Sequence, residues 1–259
     1  MKYSFMSFSC PQLELKELLQ TAKKYGYDGI EPRIDANHGH KIEPGAAGLR
    51  EAKKLADDMG IAFSCIATSC MVADLDMAES TLEKLKKAIE LAEAMGAPTI
   101  RIFGGDFTTT RKTAIETAVN TLLKVAEPAK SANVTVCLET HDSWCNPSDI
   151  AKIITAVNHE NIAVNWDIMH PIIRTGQTMT EVFEILKPWI RHVHVHDGLL
   201  NGEGNLEFCP IGQGSVDHKT AVELLSETGY SGFISGEWIN WESPEIHLPR
   251  ELKMLKSFE

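Results

Sequence analysis

The chain has 259 residues, of which 43% are hydrophobic and 24% charged, and its formal net charge is -11. This composition is typical of a folded globular protein and excludes a disordered chain. The acidic charge argues against nucleic acid and anionic membrane surfaces as partners. No apolar run approaches the roughly 18 residues of a membrane span.

The first residues and the cysteines indicate a cytoplasmic protein. Met1 to Cys10 has no long apolar segment followed by a small-residue cleavage site, so it predicts a first strand and not a signal peptide. The six cysteines form no Cys-x-x-Cys pair, and several lie within apolar runs, as reduced buried thiols do.

Short apolar runs alternate with longer amphipathic segments along the chain. The predicted strands are 2–9, 29–34, 62–68, 99–104, 134–140, 162–168, 191–197 and 232–238. The predicted helices are 12–25, 45–59, 79–95, 111–132, 147–158, 179–190, 217–228 and 244–257. Eight strand–helix units predict an α/β fold, a single (β/α)₈ TIM barrel over residues 1–259. The alternative, an open doubly wound sheet, would carry a glycine-rich turn where this chain has Ser9-Cys10-Pro11.

Capping residues support several of these helices. Ser80 with Glu83, and Thr178 with Glu181, have the spacing of a capping box. The third helix also carries one apolar stripe, formed by Leu82, Leu85, Ile89, Ala92 and Met95.

Four consecutive predicted strands, the fifth to the eighth, end in side chains that bind metals. They are Glu139, Asp167, Glu237 and, on strand seven, one or two of the inward-facing His192, His194 and His196. Because the active site of a parallel barrel forms at the C-terminal ends of its strands, these groups should converge. Carboxylates with one imidazole suit Mn²⁺ or Mg²⁺, with Co²⁺ or Zn²⁺ as alternatives. The structural alternative is ion pairs for the carboxylates and core hydrogen bonds for the histidines.

Two further charged residues end the inward faces of predicted strands. Arg101 ends strand four and Glu31 ends strand two, and Arg101 fits either a substrate contact or a buried ion pair with Glu31 or Glu139. His38 and Lys41, in the loop after strand two, could cap the mouth. Three tryptophans that flank the predicted ligands are expected to pack in the core: Trp144, Trp166 and Trp238.

At these residues the sequence resembles the xylose-isomerase-like superfamily, which includes the sugar phosphate isomerase/epimerase family. Its members are (β/α)₈ barrels with one divalent metal held by Glu, Asp, His and Glu from strands five to eight. The matching segments are Glu139-Thr-His141, Asp167-Ile-Met-His170, His194-Val-His196-Asp197, Pro210-Ile-Gly-Gln-Gly-Ser-Val-Asp217 and Gly236-Glu237. The resemblance covers essentially the whole chain.

The resemblance implies a role for each matching residue. The metal ligands are Glu139, Asp167, His194 and Glu237. The residues beside the substrate are His170, His196 (in place of the family's Lys), Arg101 and Glu31. Separately, the glycines of Gly212-Gln-Gly214 could offer backbone donors to an anion.

This site predicts an isomerase or epimerase of a sugar or cyclitol that works by proton transfer through a metal-bound enediolate. Glu139 and Glu237 would be the catalytic bases that remove and return the proton. Return to the opposite face gives epimerisation, and return to the neighbouring carbon gives isomerisation. Expulsion of a β-hydroxyl, with His170 or His196 as acid, would give dehydration instead.

Other functions stay open from the sequence. They are a metal-dependent dehydratase of an inosose or dehydroshikimate type substrate, a non-catalytic sugar binder and a phosphodiesterase like the family's apurinic endonucleases. The family's ketohexose 3-epimerases carry a further Glu shortly after the first ligand, where this chain has Thr140-His-Asp-Ser-Trp-Cys145. The related dehydroshikimate enzymes tend to replace the strand-seven His by an amide. The expected partner is a small sugar or cyclitol, and a homo-oligomer is compatible with the sequence.

Overall fold

Nine parallel strand segments form a barrel in the computed structural model, which describes residues 1–202 and 206–259. The strands of this part of the chain are β1 (Lys2–Met6), β2 (Gly29–Glu31), β3 (Ala62–Phe63), β4 (Ile66–Met71), β5 (Thr99–Phe103), β6 (Thr135–Glu139), β7 (Ile162–Asp167), β8 (Ile190–Val195), β9 (Asp197–Leu200), β10 (Leu206–Cys209) and β11 (Phe233–Gly236). All except β9 and β10 belong to the barrel, in the order β3-β2-β1-β11-β8-β7-β6-β5-β4.

The barrel closes at its third strand position, which β3 and β4 share. Gly29 of β2 lies opposite Ala62 of β3, and a parallel bridge joins Arg33 to Ala67 of β4. The nine segments therefore occupy the eight positions of a TIM barrel, as the alternation of the sequence predicts.

Helices cover the outside of the barrel. In the described residues they are α1 (Leu15–Tyr25), α2 (Leu49–Met59), α3 (Ala78–Met95), α4 (Arg111–Ser131), α5 (Pro147–Val157), α6 (Met169–Thr175), α7 (Met179–Leu186), α8 (His218–Glu227) and α9 (Pro244–Lys256). Each of the eight predicted helices is present, most with slightly shorter ends, whereas α6 was not predicted. None of the described helices combines the length and apolar character needed to cross a membrane.

The apolar core lies between the strands and these helices. Val182, Phe183 and Leu186 of α7 are buried, and the Phe183 ring lies 5.5 Å from the ring of Trp166 on β7. Trp166 is followed directly by Asp167, so this outward packing fixes the strand end that presents the carboxylate inward.

The strand register places the metal-binding residue types side by side. Asp167 of β7 lies opposite His194 of β8, and His194 lies opposite Ser235 of β11. Since side chains alternate along a strand, His192 and His194 share the inward face of β8.

An antiparallel hairpin of β9 and β10 follows β8 directly. The predicted strand 191–197 therefore ends at Val195, and its last residue, Asp197, begins the hairpin. The hairpin lies at the C-terminal end of the barrel strands, beside the site.

Candidate metal centre and active site

The four predicted ligands meet at the C-terminal end of the barrel. Glu139 ends β6, Asp167 ends β7, His194 lies on β8 and Glu237 follows β11. One ligand atom from each lies within 4.8 Å of the ligand atoms of the other three, and all four side chains are buried. A divalent cation with bonds of about 2.1 Å has donors separated by up to about 4.2 Å, so this spacing approaches one coordination shell.

His194 is contacted by carboxylates at both ring nitrogens. Its Nδ1 lies 2.6 Å from Oε1 of Glu139 and 3.1 Å from Oε2 of Glu237. Its Nε2 lies 3.0 Å and 3.2 Å from the two carboxylate oxygens of Glu31. The edge of the ring that carries Nδ1 therefore faces the two glutamates of the centre, and the edge that carries Nε2 faces Glu31.

The buried carboxylate oxygens of this centre are compatible with a bound cation. Oε2 of Glu139 and Oδ2 of Asp167 are buried and accept no well-aligned hydrogen bond in the described part of the chain, and their charged neighbours are Nε of Arg101 at 3.3 Å and Nε2 of His196 at 2.9 Å. Buried carboxylates this close repel one another strongly in a low-dielectric interior unless a cation lies between them. Three carboxylates and one imidazole are a donor set that Mn²⁺ and Mg²⁺ accept.

Arg101 supplies the only arginine contact to Glu139 among the described residues. Its Nε lies 3.3 Å from Oε2 of Glu139, without the alignment of a hydrogen bond, and its Nη1 donates to the carbonyl of Thr68 over 2.8 Å. The guanidinium also lies 3.9 Å from the ring centroid of Phe103. The ion pair between Arg101 and Glu139, which the sequence analysis gave as the alternative role of Arg101, is thus present. Because Nε of Arg101 makes no aligned hydrogen bond to Oε2 of Glu139, this oxygen can still bind a cation.

The local charges keep the carboxylates ionised. Burial alone would raise the pKa of Glu237, but His194 and Arg101 lower it to about 2. Burial likewise opposes ionisation of Asp167, and His196 and His170 overcome it and hold its pKa well below the ordinary value. Both groups are therefore available as cation ligands near neutral pH.

Three histidines form a row along the Asp167 side of the site. The ring of His170 lies 4.2 Å from that of His141 and 5.3 Å from that of His196, whose Nε2 is 2.9 Å from Oδ2 of Asp167. Burial lowers the pKa of His170 to about 4. Asp142, 2.7 Å from Nδ1 of His141, overcomes burial and raises the pKa of His141 to about 9. The row therefore pairs a neutral imidazole with a protonated one.

Three other residues predicted near the site lie away from this centre or deeper in the barrel. Glu31 is fully buried between His192 and His194. It contacts Nε2 of His194, whereas Glu139 and Glu237 contact Nδ1 on the other edge of the ring. His38 is buried against Ser7, its Nδ1 lying 2.9 Å from Oγ, and the exposed Lys41 bonds to Asn37.

Aromatic side chains near the mouth were not identified from the sequence. The ring of Phe208 on β10 lies 5.4 Å from that of His196, and the ring of Trp241 lies 6.3 Å from Phe208. The Asn201-Gly202 pair between apolar runs is typical of a hairpin turn and was the available signal. The three predicted core tryptophans are all buried: Trp144, Trp166 and Trp238.

The loop Gly212-Gln-Gly214, which follows the hairpin, binds a carboxylate of the protein itself. The backbone N–H groups of Gly212 and Gly214 donate to Oδ2 of the buried Asp197 over 2.9 Å and 3.0 Å. These donors are therefore committed to Asp197, and the loop is not the anion cradle that its sequence allowed.

A separate cavity of the described residues lies away from this centre. It has a volume of about 530 Å³ and opens among the N-terminal ends of the strands, with Lys2, Thr99 and His192 among its lining residues. None of the four converging residues lines it. The site is assigned from the donor atoms, because active sites of this fold lie at the other end of the barrel.

The family model described as xylose isomerase-like TIM barrel matches residues 19–258. The chain therefore belongs to this family.

Two curated relatives cover nearly the whole chain. A 3-dehydroshikimate dehydratase of Bacillus anthracis is 25% identical over 98% of this chain and 96% of its own length. A fructoselysine 3-epimerase of Shigella flexneri is 22% identical over 96% of both chains. Among solved structures, a 3-keto-D-glucoside 4-epimerase from E. coli matches with a TM-score of 0.82 at 16% identity, over 99% of both chains, and this likeness concerns the fold.

Proposed function

We propose that this protein is a divalent-metal-dependent epimerase or isomerase of a sugar or cyclitol. The observation that carries the proposal is that Glu139 and Glu237 approach one centre from β6 and from the end of β11, which are separated by β7 and β8 around the barrel. Two ionisable carboxylates that reach one carbon from different directions can remove a proton on one side and return it on another.

The four converging residues would hold the cation: Glu139, Asp167, His194 and Glu237. When bound, a divalent cation supplies Lewis-acid polarisation of the carbonyl next to the reacting carbon. Mn²⁺ or Mg²⁺ is proposed because three of the four donors are carboxylates.

The side chains of the site would transfer the proton and contact the substrate. Glu139 or Glu237 takes the proton from the carbon beside the carbonyl, and the other glutamate returns it. Return of the proton to the opposite face inverts the configuration of that carbon. Return of the proton to the former carbonyl carbon moves the carbonyl to the neighbouring carbon of the substrate. Arg101, beside Oε2 of Glu139, would hold that carboxylate in place. His170 and His196 would contact substrate hydroxyls.

A dehydratase is the second candidate, because a protonated imidazole lies near the centre. The high pKa of His141, about 9, keeps it charged near neutral pH, next to His170. A glutamate would remove the carbon-bound proton, the β-hydroxyl would leave with a proton from the histidine row, and the products would be an alkene and water. The 25% identical dehydratase relative also supports this candidate.

The test is a substrate panel in D₂O with the Mn²⁺-loaded protein. The panel contains ketoses, aldoses, inososes and 3-dehydroshikimate. An epimerase or isomerase leaves deuterium in recovered substrate and product, whereas a dehydratase yields a new ultraviolet-absorbing product.

Variants connect the activity to the site. Glu139→Gln and Glu237→Gln should each lower turnover by about 10²–10⁴-fold, which is the contribution of a general base. Glu251→Gln is the matched control, since Glu251 is equally buried but accepts hydrogen bonds from Ile211 and Arg250. Full activity of either site variant, or no exchange with any panel member despite bound metal, would contradict the proposal.

A further inference from the structure

Glu31 is the fourth buried carboxylate around His194, and it lies outside the proposed coordination shell. Its Oε1 lies 3.0 Å from Nε2 of His194, and its Oε2 lies 2.8 Å from Nε2 of His192. All three side chains are at most 1% exposed. Glu31 therefore has no open path to a substrate at the mouth, because the ring of His194 lies between them.

The position of Glu31 selects one tautomer of His194. If Nδ1 gives its lone pair to a cation, the ring proton must be on Nε2. A carboxylate 3.0 Å from Nε2 accepts that proton in a hydrogen bond.

His192 fixes Glu31 in turn. It lies two residues before His194 on β8, so both rings point inward, and their centroids are 5.3 Å apart. Its Nε2 binds the second oxygen of Glu31, which prevents the carboxylate from rotating away from His194.

We propose that Glu31, fixed by His192, is a positioning residue that orients His194 and presents its Nδ1 to the cation. This inference rests on the proposed function, since it takes His194 as a metal ligand. It replaces the expectation that Glu31 contacts the substrate. A carboxylate that accepts the second N–H of a ligating histidine raises the basicity of the ligand and fixes its ring, and loss of such a partner typically lowers metal affinity about 10–100-fold.

The experiment measures Mn²⁺ affinity directly. Free Mn²⁺ is titrated by electron paramagnetic resonance against the wild type and Glu31→Gln, with Glu251→Gln as the control for loss of a buried glutamate charge. We expect the Kd for Mn²⁺ to rise 10–100-fold in Glu31→Gln and to stay within twofold of wild type in Glu251→Gln. His192→Phe, which frees one oxygen of Glu31, should show a smaller rise in Kd.

Thermal melting of each metal-free variant reports whether it is folded. If Glu31→Gln does not fold, the inference is decided by His192→Phe and by Glu31→Asp, which keeps the charge but withdraws it from Nε2 of His194. Unchanged Mn²⁺ affinity in the folded variants overturns the positioning role while leaving the metal site intact. A wild type that binds no Mn²⁺ contradicts the proposed function itself, and the inference with it.

Discussion

Asp197 is a buried carboxylate that organises backbone. Its Oδ1 accepts from the N–H of Gly198 and Val216, over 2.9 Å and 3.3 Å, and its Oδ2 accepts from Gly212 and Gly214. Four N–H donors satisfy a charge that would otherwise be costly to bury. The residue therefore ties the loop after the hairpin to the end of β8.

Gly214 should tolerate no side chain, because Asp197 fills the space beside it. A Cβ at Gly214 would lie 2.0 Å from Oδ1 of Asp197 and 2.8 Å from the backbone nitrogen of Gly198. We expect Gly214→Ala to lower the free energy of unfolding by about 1–3 kcal/mol, as overpacking does. Urea unfolding measures this value.

Gly202→Ala is the control for this prediction. A Cβ at Gly202, in the neighbouring hairpin, meets no atom of the described residues within 4 Å. Equal stability of the two variants would show that the loop shifts to accommodate the added methyl group.

Single residues also show what the sequence can predict about a site. Strand ends gave Glu139, Asp167 and Glu237, because a parallel barrel brings its C-terminal strand ends together. The contacts of Glu31 with His192 and His194 could not be predicted from the sequence. They join residues more than 160 positions apart and depend on the barrel register. The same limit applies to Phe208, whose approach to His196 depends on how the hairpin folds back.

Local sequence signals predicted the bounds of the helices more accurately than the bounds of the strands. The third predicted strand, 62–68, is divided into β3, which pairs with β2, and β4, which pairs with β5. The first predicted strand, 2–9, ends at Met6, where a 3₁₀ turn over Ser7–Ser9 begins. Apolar runs cannot reveal such breaks, since buried turns and buried strands have the same composition.

Two capping boxes predicted from the same spacing had different outcomes. At α7, Thr178 accepts from the N–H of Glu181, and Glu181 accepts from the N–H of Thr178. At α3 the prediction was wrong, because the helix begins at Ala78 and Ser80 lies within its first turn. The entry to α3 is set instead by Asp74, whose Oδ1 accepts from the N–H of Asp76 and Met77.

This contrast gives a matched pair of variants. Thr178→Ala should lower the free energy of unfolding by about 0.5–2 kcal/mol, since it removes the acceptor for the N–H of Glu181. Ser80→Ala, with the same motif spacing but no cap, should change it by less than about 0.5 kcal/mol. Chemical denaturation of both proteins measures the difference. A loss in Ser80→Ala as large as that in Thr178→Ala would contradict the assignment of the caps.

Across the whole molecule, ionisable groups form a column along the barrel interior. His192 and Glu31 lie deepest, His194 follows with Glu139 and Glu237, and Asp167 with its histidine row lies nearest the mouth. The barrel was predictable because its strand–helix unit repeats eight times. The column was predictable only in part, because depth within the barrel depends on strand stagger, which the sequence does not encode locally.

If the proposed cation binds in this column, the stability of the whole fold depends on it. The four proposed ligand atoms lie together only in the folded chain, so a cation that they hold would bind the folded state in preference to the unfolded one. A ligand that binds only the folded state at 100 times its Kd stabilises that state by about 2.7 kcal/mol. For a chain of this size, this corresponds to a rise in Tm of roughly 5–10 °C.

We therefore expect Mn²⁺ at 100 times its Kd to raise the Tm of the EDTA-treated protein by roughly this amount, measured by calorimetry. The double variant Glu139→Gln/Glu237→Gln should show little rise in Tm with Mn²⁺, because it lacks two of the four proposed ligands. Glu251→Gln should keep the full metal-dependent rise, since Glu251 bonds to Ile211 and Arg250. An equal rise in the double variant would place the stabilising cation elsewhere on the molecule.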